Sequence, residues 1–261
     1  MKVVLFCGGL GTRLRELTGE IPKPMVKIGY RPILWHLMKY YAHFGHKEFV
    51  LCLGYKADVI KEFFLHYEEW ISNDFTLSES GTKLTLENND IADWKITFVD
   101  TGLHANIGQR LMAVRKYLEG EEYFLANYAD GLSDVDLNLM AERFKASDRV
   151  ASFLAVPPSQ SFHLVDIADD HHVSSIRPVA DSGLLINGGF FVLRHDLFDH
   201  MRPGEELVIE PFHRLIEARQ LFAYKYDHFW CMDTFKEQQQ LTDMFNSGHA
   251  PWEVWKPPLP S

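Results

Sequence analysis

The chain alternates short apolar runs with longer segments in which apolar residues recur at helical spacing. Residues 2–7 form an apolar run that predicts a buried strand, and residues 32–45 predict a helix that begins at a proline and ends at a glycine. A second strand is expected at 47–53 and a second helix at 57–66. This order predicts parallel strands that are joined by crossover helices.

The segment 68–94 interrupts the alternation. Stretches of alternating apolar and polar residues lie on either side of Gly81, which predicts a β-hairpin inserted at the edge of the sheet. After the hairpin the pattern resumes, with strands and helices expected in turn at 95–100, 107–118, 122–128 and 136–146.

The second half of the chain has a mixed pattern. It predicts several strands, including a continuous one at 184–193, and helices near 210–219 and 234–246. We therefore predict an α/β fold: a single Rossmann-like domain with a mostly parallel central sheet, a mixed C-terminal half and the inserted β-hairpin. The tail 248–261 contains prolines that exclude a helix, and we expect it to pack across a surface or a partner subunit.

Composition and charge narrow the class of protein. The 261 residues are 46% hydrophobic and 24% charged, which suits a globular fold with a sizeable core. The formal net charge of −10 argues against a nucleic-acid partner, because the phosphate backbone requires a basic face. The apolar stretches are too short to span a membrane, and the N-terminus lacks the features of a signal peptide. A cytoplasmic protein is expected, and a small phosphorylated ligand remains compatible with the charge.

A glycine loop follows the first predicted strand. Gly8, Gly9 and Gly11 allow a close approach of the backbone to a ligand, and successive N–H groups can then point at phosphate oxygens. Thr12 and Arg13 complete the loop, and the arginine offers a bidentate grip. A plain tight turn is the alternative interpretation. The P-loop and dinucleotide-binding motifs both fit the segment poorly.

Three further residues are singled out by their surroundings. Lys23 stands between two prolines, which fix a cation near the glycine loop, although a surface loop would have the same composition. Asp130 follows a strand and precedes a glycine, at the carboxyl end of the sheet, where open α/β folds bind ligands. Asp233 precedes a predicted helix, which by itself favours a helix cap.

Together these segments resemble the sugar-1-phosphate nucleotidyltransferases, also called nucleoside-diphosphate-sugar pyrophosphorylases. The glycine loop, the Pro-Lys-Pro-Met segment and Asp130-Gly131 carry the resemblance, which covers nearly the whole chain. Longer segments resemble the branch of the family that transfers CMP to glucose 1-phosphate, and these lie at 28–45, 53–64, 96–102, 186–193, 232–234 and 250–255.

The resemblance implies a reaction. A phosphate oxygen of the acceptor would attack the α-phosphorus of a nucleoside triphosphate, most simply CTP, and release pyrophosphate. Asp130 and Asp233 would hold Mg²⁺, and Arg13 and Lys23 would bind the triphosphate and stabilise the leaving group. The resemblance also implies a homo-oligomer. Within one chain, we expect a nucleotide-binding half at 1–148 and an acceptor-binding half at 149–247.

The resemblance also assigns residues to each substrate. The nucleotide side comprises the glycine loop, Lys23, Thr101 and Arg110; the arginine would donate to the acceptor edge of cytosine or else lie in solvent at a helix start. The acceptor side comprises Tyr128, His163, Arg177, Asn187, Gly188 and Glu210. For Asn187 the alternative is a turn residue, and for Glu210 an acid in the first turn of a helix.

Some acceptor positions depart from the family pattern. Arg177 stands where relatives have a lysine, and His163 where they have a glycine; arginine and lysine differ in geometry. Transfer of CMP to a glucose 1-phosphate-like sugar is therefore one hypothesis. The same chemistry on another phosphorylated or phosphonate acceptor is a second, and a non-catalytic nucleotide-binding relative is a third.

Overall fold

The structure is a computed structural model that describes residues 1–9, 21–159 and 162–256. The predictions for Gly11, Thr12 and Arg13 lie outside the described residues. The strands are β1 Val3–Phe6, β2 Lys27–Ile28, β3 Arg31–Pro32, β4 Glu48–Leu53, β5 Phe75–Ser78, β6 Lys83–Leu86, β7 Lys95–Asp100, β8 Tyr123–Tyr128, β9 Gly131–Leu132, β10 Ala151–Val156, β11 His163–Ile167, β12 Val173–Pro178, β13 Ile186–Asn187, β14 Phe191–Arg194, β15 Leu221–Lys225 and β16 Trp230–Cys231. The α-helices are α1 Ile33–His43, α2 Ala57–Leu65, α3 Ile107–Val114, α4 Leu137–Ala146, α5 Glu210–Glu217 and α6 Phe235–Asn246.

The central sheet runs in the order β15, β10, β14, β8, β1, β4, β7. Strands β8, β1, β4 and β7 are parallel neighbours. Strand β14 is antiparallel to both β8 and β10, and β15 returns parallel to β10. The predicted α/β class, with a mostly parallel sheet and a mixed second half, is confirmed.

Helices cover both faces of this sheet. Alternate residues of β1 show why: Val3 and Leu5 belong to one buried cluster, which includes α1 and α4, while Val4 and Phe6 belong to another, which includes α3 and α5. Strands buried on both faces are expected to be apolar throughout, as β1 is. No helix in the described ranges is long and apolar enough to cross a membrane.

The inserted hairpin forms as predicted, from β5 and β6. A buried polar group attaches the insertion to α1. Asp90, whose side chain is 5% exposed, accepts hydrogen bonds from Lys39 at 2.6 Å, Tyr67 at 2.9 Å and the Ser72 hydroxyl. The Arg31 guanidinium donates to Ser72 at 2.6 Å and 2.9 Å. We call these five residues the anchor cluster.

The prediction of one continuous strand at 184–193 is wrong. The segment forms β13 and β14, which pair with the same side of β10 in registers that differ by two residues. The break falls at Gly188 and Gly189, and Gly189 has a φ of +77°. A Cβ on Gly189 would lie 2.3 Å from the Asn127 side-chain oxygen, so this close approach requires glycine.

The described part of the tail packs against its own chain. Trp252 is fully buried in the core cluster of α1, and Trp255 lies edge-on to Trp35 with their ring centroids 5.9 Å apart. The large apolar area of these indoles explains why residues 248–256 are held without an α-helix or a strand. Over these residues, the tail packs on its own chain.

Candidate active site

The carboxyl ends of the parallel strands meet at one edge of the sheet. Because β1, β4, β7 and β8 run parallel, the residues that follow them converge there: Gly8, Gly54, Thr101 and Asp130. This edge is where open α/β folds bind ligands. The structure therefore brings together predicted residues that are more than 100 positions apart in the sequence.

Arg110 lies against Gly8 and is only 2% exposed. Its guanidinium donates to the Gly8 carbonyl at 3.0 Å, the Leu53 carbonyl at 3.1 Å and the Thr101 hydroxyl at 2.7 Å. A Cβ on Gly8 would lie 2.0 Å from that guanidinium. The alternative of a solvent-exposed arginine at a helix start is wrong, because the side chain ties three strand ends together.

A lysine and two aspartates form what we call the edge cluster. The Lys23 ammonium donates to Asp130 at 2.6 Å and to Asp233 at 2.5 Å. The lysine side chain is 14% exposed, whereas the aspartate side chains are 34% and 35% exposed. Burial disfavours the charge of Lys23, but the charge and hydrogen bond of Asp130, followed by those of Asp233, raise its pKa above the ordinary lysine value.

Short strand pairing holds the two aspartates side by side. Strand β9, directly after Asp130, pairs with β16, directly before Met232 and Asp233, and the Met232 amide donates to the Asp130 carbonyl at 3.0 Å. This pairing explains how residues separated by about 100 positions share one cation. It also fixes the carboxylates at the ends of two strands rather than on mobile loops.

Glu237 orients Asp233, and the sequence analysis missed it. Its carboxylate accepts from the Asp233 amide at 2.7 Å and the Thr234 amide at 2.8 Å. Thr234 is the N-cap of α6 and forms a capping box with Glu237. The interpretation of Asp233 as the cap is therefore wrong. The Thr-x-x-Glu spacing was the signal that could have identified both residues.

The edge cluster suits a magnesium ion. Two carboxylates already converge on one cation, the Lys23 ammonium. Among the residues that the structure describes, no group of three or more His, Cys, Asp or Glu side chains is arranged to hold a metal. Mg²⁺ is typically bound by one or two carboxylates, with phosphate oxygens and water completing its shell, so Asp130 and Asp233 fit it.

Three predicted acceptor residues, Tyr128, Asn187 and Gly188, lie at the end of β8 and at the broken strand, and a fourth, Glu210, begins α5. The Asn187 amide donates to the Tyr128 hydroxyl at 3.3 Å, while its oxygen accepts from the Gly189 amide at 2.9 Å, as a turn residue would. The Gly188 amide bonds the Leu154 carbonyl at 2.8 Å. Glu210 is the first residue of α5 and accepts from the Glu206 amide at 3.0 Å.

Burial raises the pKa of Tyr128 to about 12, and the nearby Glu206 charge adds to the shift. Tyr128 is therefore a neutral hydrogen-bonding group at ordinary pH.

His163 and Arg177 lie on a separate two-stranded hairpin, β11–β12. His163 faces Pro178 across it, and the Arg177 guanidinium lies 3.8 Å from the Asp166 carboxylate. Both side chains are exposed. In the described part of the chain, no hydrogen bond or ion pair joins either of them to the edge cluster. The structure thus groups Tyr128 and Asn187, and among the described residues no hydrogen bond or ion pair joins His163 or Arg177 to them.

At the carboxyl edge of the sheet, the buried Arg110 holds Gly8, and a carboxylate pair shares the Lys23 cation. In an α/β fold this arrangement suits a phosphorylated ligand. A family model described as nucleotidyl transferase matches residues 2–231. The chain belongs to this nucleotidyl transferase family, as the sequence motifs predicted.

Individual relatives agree with this assignment. The chain is 38% identical over 260 residues to the glucose-1-phosphate cytidylyltransferase of Salmonella typhimurium, with 98% of this chain and 100% of the relative covered. The glucose-1-phosphate cytidylyltransferase of Salmonella typhi gives the same values. Among solved structures, HddC from Yersinia pseudotuberculosis is 23% identical with a TM-score of 0.62, covering 94% of this chain and 99% of that one, which shows a shared fold.

Proposed function

We propose that the protein is a Mg²⁺-dependent cytidylyltransferase that transfers CMP from CTP to a glucose 1-phosphate-like sugar 1-phosphate and releases pyrophosphate. The observation that carries the proposal is the edge cluster, in which two carboxylates converge on one cation at the same edge of the sheet as Gly8. The near full-length similarity to cytidylyltransferases supports the choice of base and acceptor.

The reaction joins two anions, so charge compensation is its main requirement. Asp130 and Asp233 would hold the Mg²⁺, which when bound would neutralise phosphate charge and polarise the α-phosphate. Lys23 would bind the triphosphate and stabilise the departing pyrophosphate, together with Arg13. The acceptor phosphate is already ionised at neutral pH, so no side chain needs to remove a proton from it.

The remaining residues would position the two substrates. Gly8 and Gly9 would present their backbone to the triphosphate. Arg110 would hold Gly8 and Thr101 in place. Its two terminal nitrogens already donate to Leu53, Thr101, Gly8 and Leu103, so it would support the nucleotide side rather than bond the cytosine itself as the sequence had predicted. On the acceptor side, Tyr128 and Asn187 would offer hydrogen bonds to sugar hydroxyls, because both lie in one hydrogen-bonded group.

A different acceptor is the second candidate, and specific residues favour it. Arg177 and His163 replace the lysine and glycine of the family pattern, and both lie on the exposed β11–β12 hairpin. A guanidinium presents a planar fork, whereas an ammonium is a point charge, so the group bound there need not be the phosphate of glucose 1-phosphate. Another phosphorylated sugar or a phosphonate would suit the change.

Pyrophosphate release tests both candidates. The purified protein is assayed with Mg²⁺, each of the four nucleoside triphosphates and a panel of phosphorylated and phosphonate acceptors. Turnover of CTP with glucose 1-phosphate supports the first candidate. Turnover of CTP only with another acceptor supports the second. No turnover with any pair, together with tight CTP binding, would contradict both and indicate a nucleotide-binding protein without activity.

A further inference from the structure

The Lys23 ammonium lies between the two carboxylates that are assigned to the metal. Its distances are 2.6 Å to Asp130 and 2.5 Å to Asp233, so one ammonium bonds both side chains. A metal ion held by the same two carboxylates would approach the same oxygens. Lys23 and a metal therefore compete for one position.

The carboxylates require a cation there. Two carboxylates directed at one point repel each other, and a positive charge between them relieves this repulsion. Lys23 provides that charge from a side chain that is largely buried. Lys23 is thus a counter-ion to both Asp130 and Asp233.

The lysine can also leave without disturbing the fold. Its backbone is fixed by Pro22 and Pro24 and by the short 3₁₀ turn Lys23–Met25. The side chain has four rotatable bonds, so the ammonium can move by several ångströms while the backbone stays in place. Gly8 follows β1, and Asp130 follows the neighbouring strand β8, so triphosphate oxygens bound at this edge of the sheet would offer the ammonium new partners.

We propose that Lys23 is an internal counter-ion that holds Asp130 and Asp233 together in the nucleotide-free protein and gives them up to the metal when the triphosphate arrives. The ammonium then moves from the carboxylates to the phosphate oxygens. This inference rests on the proposed function, and it adds an order of events: the metal binds weakly before the nucleotide and tightly with it.

Metal binding without nucleotide tests the exchange directly. Mn²⁺ suits the same oxygen ligands as Mg²⁺, and its binding is measured by electron paramagnetic resonance of the free ion. We expect Lys23→Met, which keeps an unbranched side chain without the charge, to bind Mn²⁺ at least tenfold more tightly than the wild type. Lys27→Met, which removes an exposed lysine four residues away, is the matched control and should leave the affinity unchanged.

A nucleotide analogue provides the second arm. A CTP analogue whose α,β-bridge cannot be cleaved should raise the Mn²⁺ affinity of the wild type by more than it raises that of Lys23→Met, because only the wild type has a lysine to move. If Lys23→Met does not fold, the Mn²⁺ affinity of the wild type is compared with and without the analogue. No gain in Mn²⁺ affinity from the analogue would then overturn the exchange.

The outcomes separate this inference from the proposed function. Equal or weaker Mn²⁺ binding by folded Lys23→Met would overturn the exchange. The double variant Asp130→Asn and Asp233→Asn should lose the Mn²⁺ site, both in the wild-type chain and in a chain that also carries Lys23→Met. Mn²⁺ binding that survives in that double variant would instead contradict the metal site of the proposed function, and with it the exchange.

Discussion

The edge cluster and the anchor cluster combine the same kinds of charged side chains in different surroundings. In the anchor cluster, Arg31 and Asp90 are 2% and 5% exposed, and both Asp90 oxygens accept hydrogen bonds from within the chain. In the edge cluster, the two carboxylates are about one third exposed and share Lys23. The contrast teaches that a buried, hydrogen-bonded ion group fastens the fold, whereas carboxylates that solvent can reach remain available to a ligand.

The largest expected effect comes from the edge cluster. Asp130→Asn removes a negative metal ligand but keeps its shape, so kcat/KM should fall on the order of 10³-fold. The thermal midpoint should change little, because the side chain is partly exposed. Steady-state kinetics and thermal unfolding of the same preparation check both expectations. A fully active Asp130→Asn protein would refute the metal assignment.

The anchor cluster should show the opposite behaviour. Asp90→Ala leaves Arg31 and Lys39 without their buried partner, and we expect the free energy of unfolding to fall by about 3 kcal/mol. Below its unfolding temperature the variant should keep kcat near that of the wild type. Urea titration measures the stability.

Asp93→Ala, which breaks the exposed Lys47–Asp93 pair, is the matched control and should cost no more than about 0.5 kcal/mol. A loss at Asp90 no larger than this would show that the cluster does not fasten the insertion.

A third change tests the buried arginine under the glycine loop. Gly8→Ala places a methyl group 2.0 Å from the Arg110 guanidinium, so the loop or the arginine must shift. We expect the KM for CTP to rise about tenfold, corresponding to about 1.4 kcal/mol of binding. A Cβ on Gly9 would meet nothing within 4 Å, so Gly9→Ala should raise the KM less. Equal effects at the two glycines would contradict the role of Arg110.

The smallest expected effect is a pH dependence of stability. Burial opposes ionisation of Asp90, but hydrogen bonds from Lys39 and Ser72 outweigh it and lower the pKa of this carboxyl. Its stabilisation is therefore complete above the unfolded-state pKa near 3.9 and is lost as the pH falls through the lower folded-state value. Because asparagine does not ionise, the free energy of unfolding of Asp90→Asn should fall less steeply with decreasing pH in that range than that of the wild type. An unchanged acid profile would argue against this linkage.

Much of the fold and part of the site could be predicted from local patterns. The strands and helices of the first half follow apolar periodicity, and Asp130 was identifiable from its place after a strand. Arg110 could not be placed, because its burial depends on contacts with Gly8 and Leu53, which are distant in the sequence. The break at Gly188–Gly189 was missed since an apolar run does not reveal a register shift.

Other residues show where long-range geometry decides. Lys23 was expected at the phosphates, and its position between Asp130 and Asp233 follows only from the pairing of β9 with β16. Glu237, in contrast, has a local signature that sequence analysis could have used. The roles of Arg177 and His163 stay predictions, because in the described part of the chain no hydrogen bond or ion pair joins either of them to another acceptor residue.

Transfer of the α-phosphorus tests the central claim most directly. The wild-type protein is incubated with Mg²⁺, glucose 1-phosphate and CTP labelled at the α-phosphate, and the labelled products are separated. The account predicts that the label moves into a cytidine diphosphate sugar, with one pyrophosphate released for each transfer, and that Asp130→Asn fails to do this. Label that remains in CTP, or that is released as CMP, would contradict it.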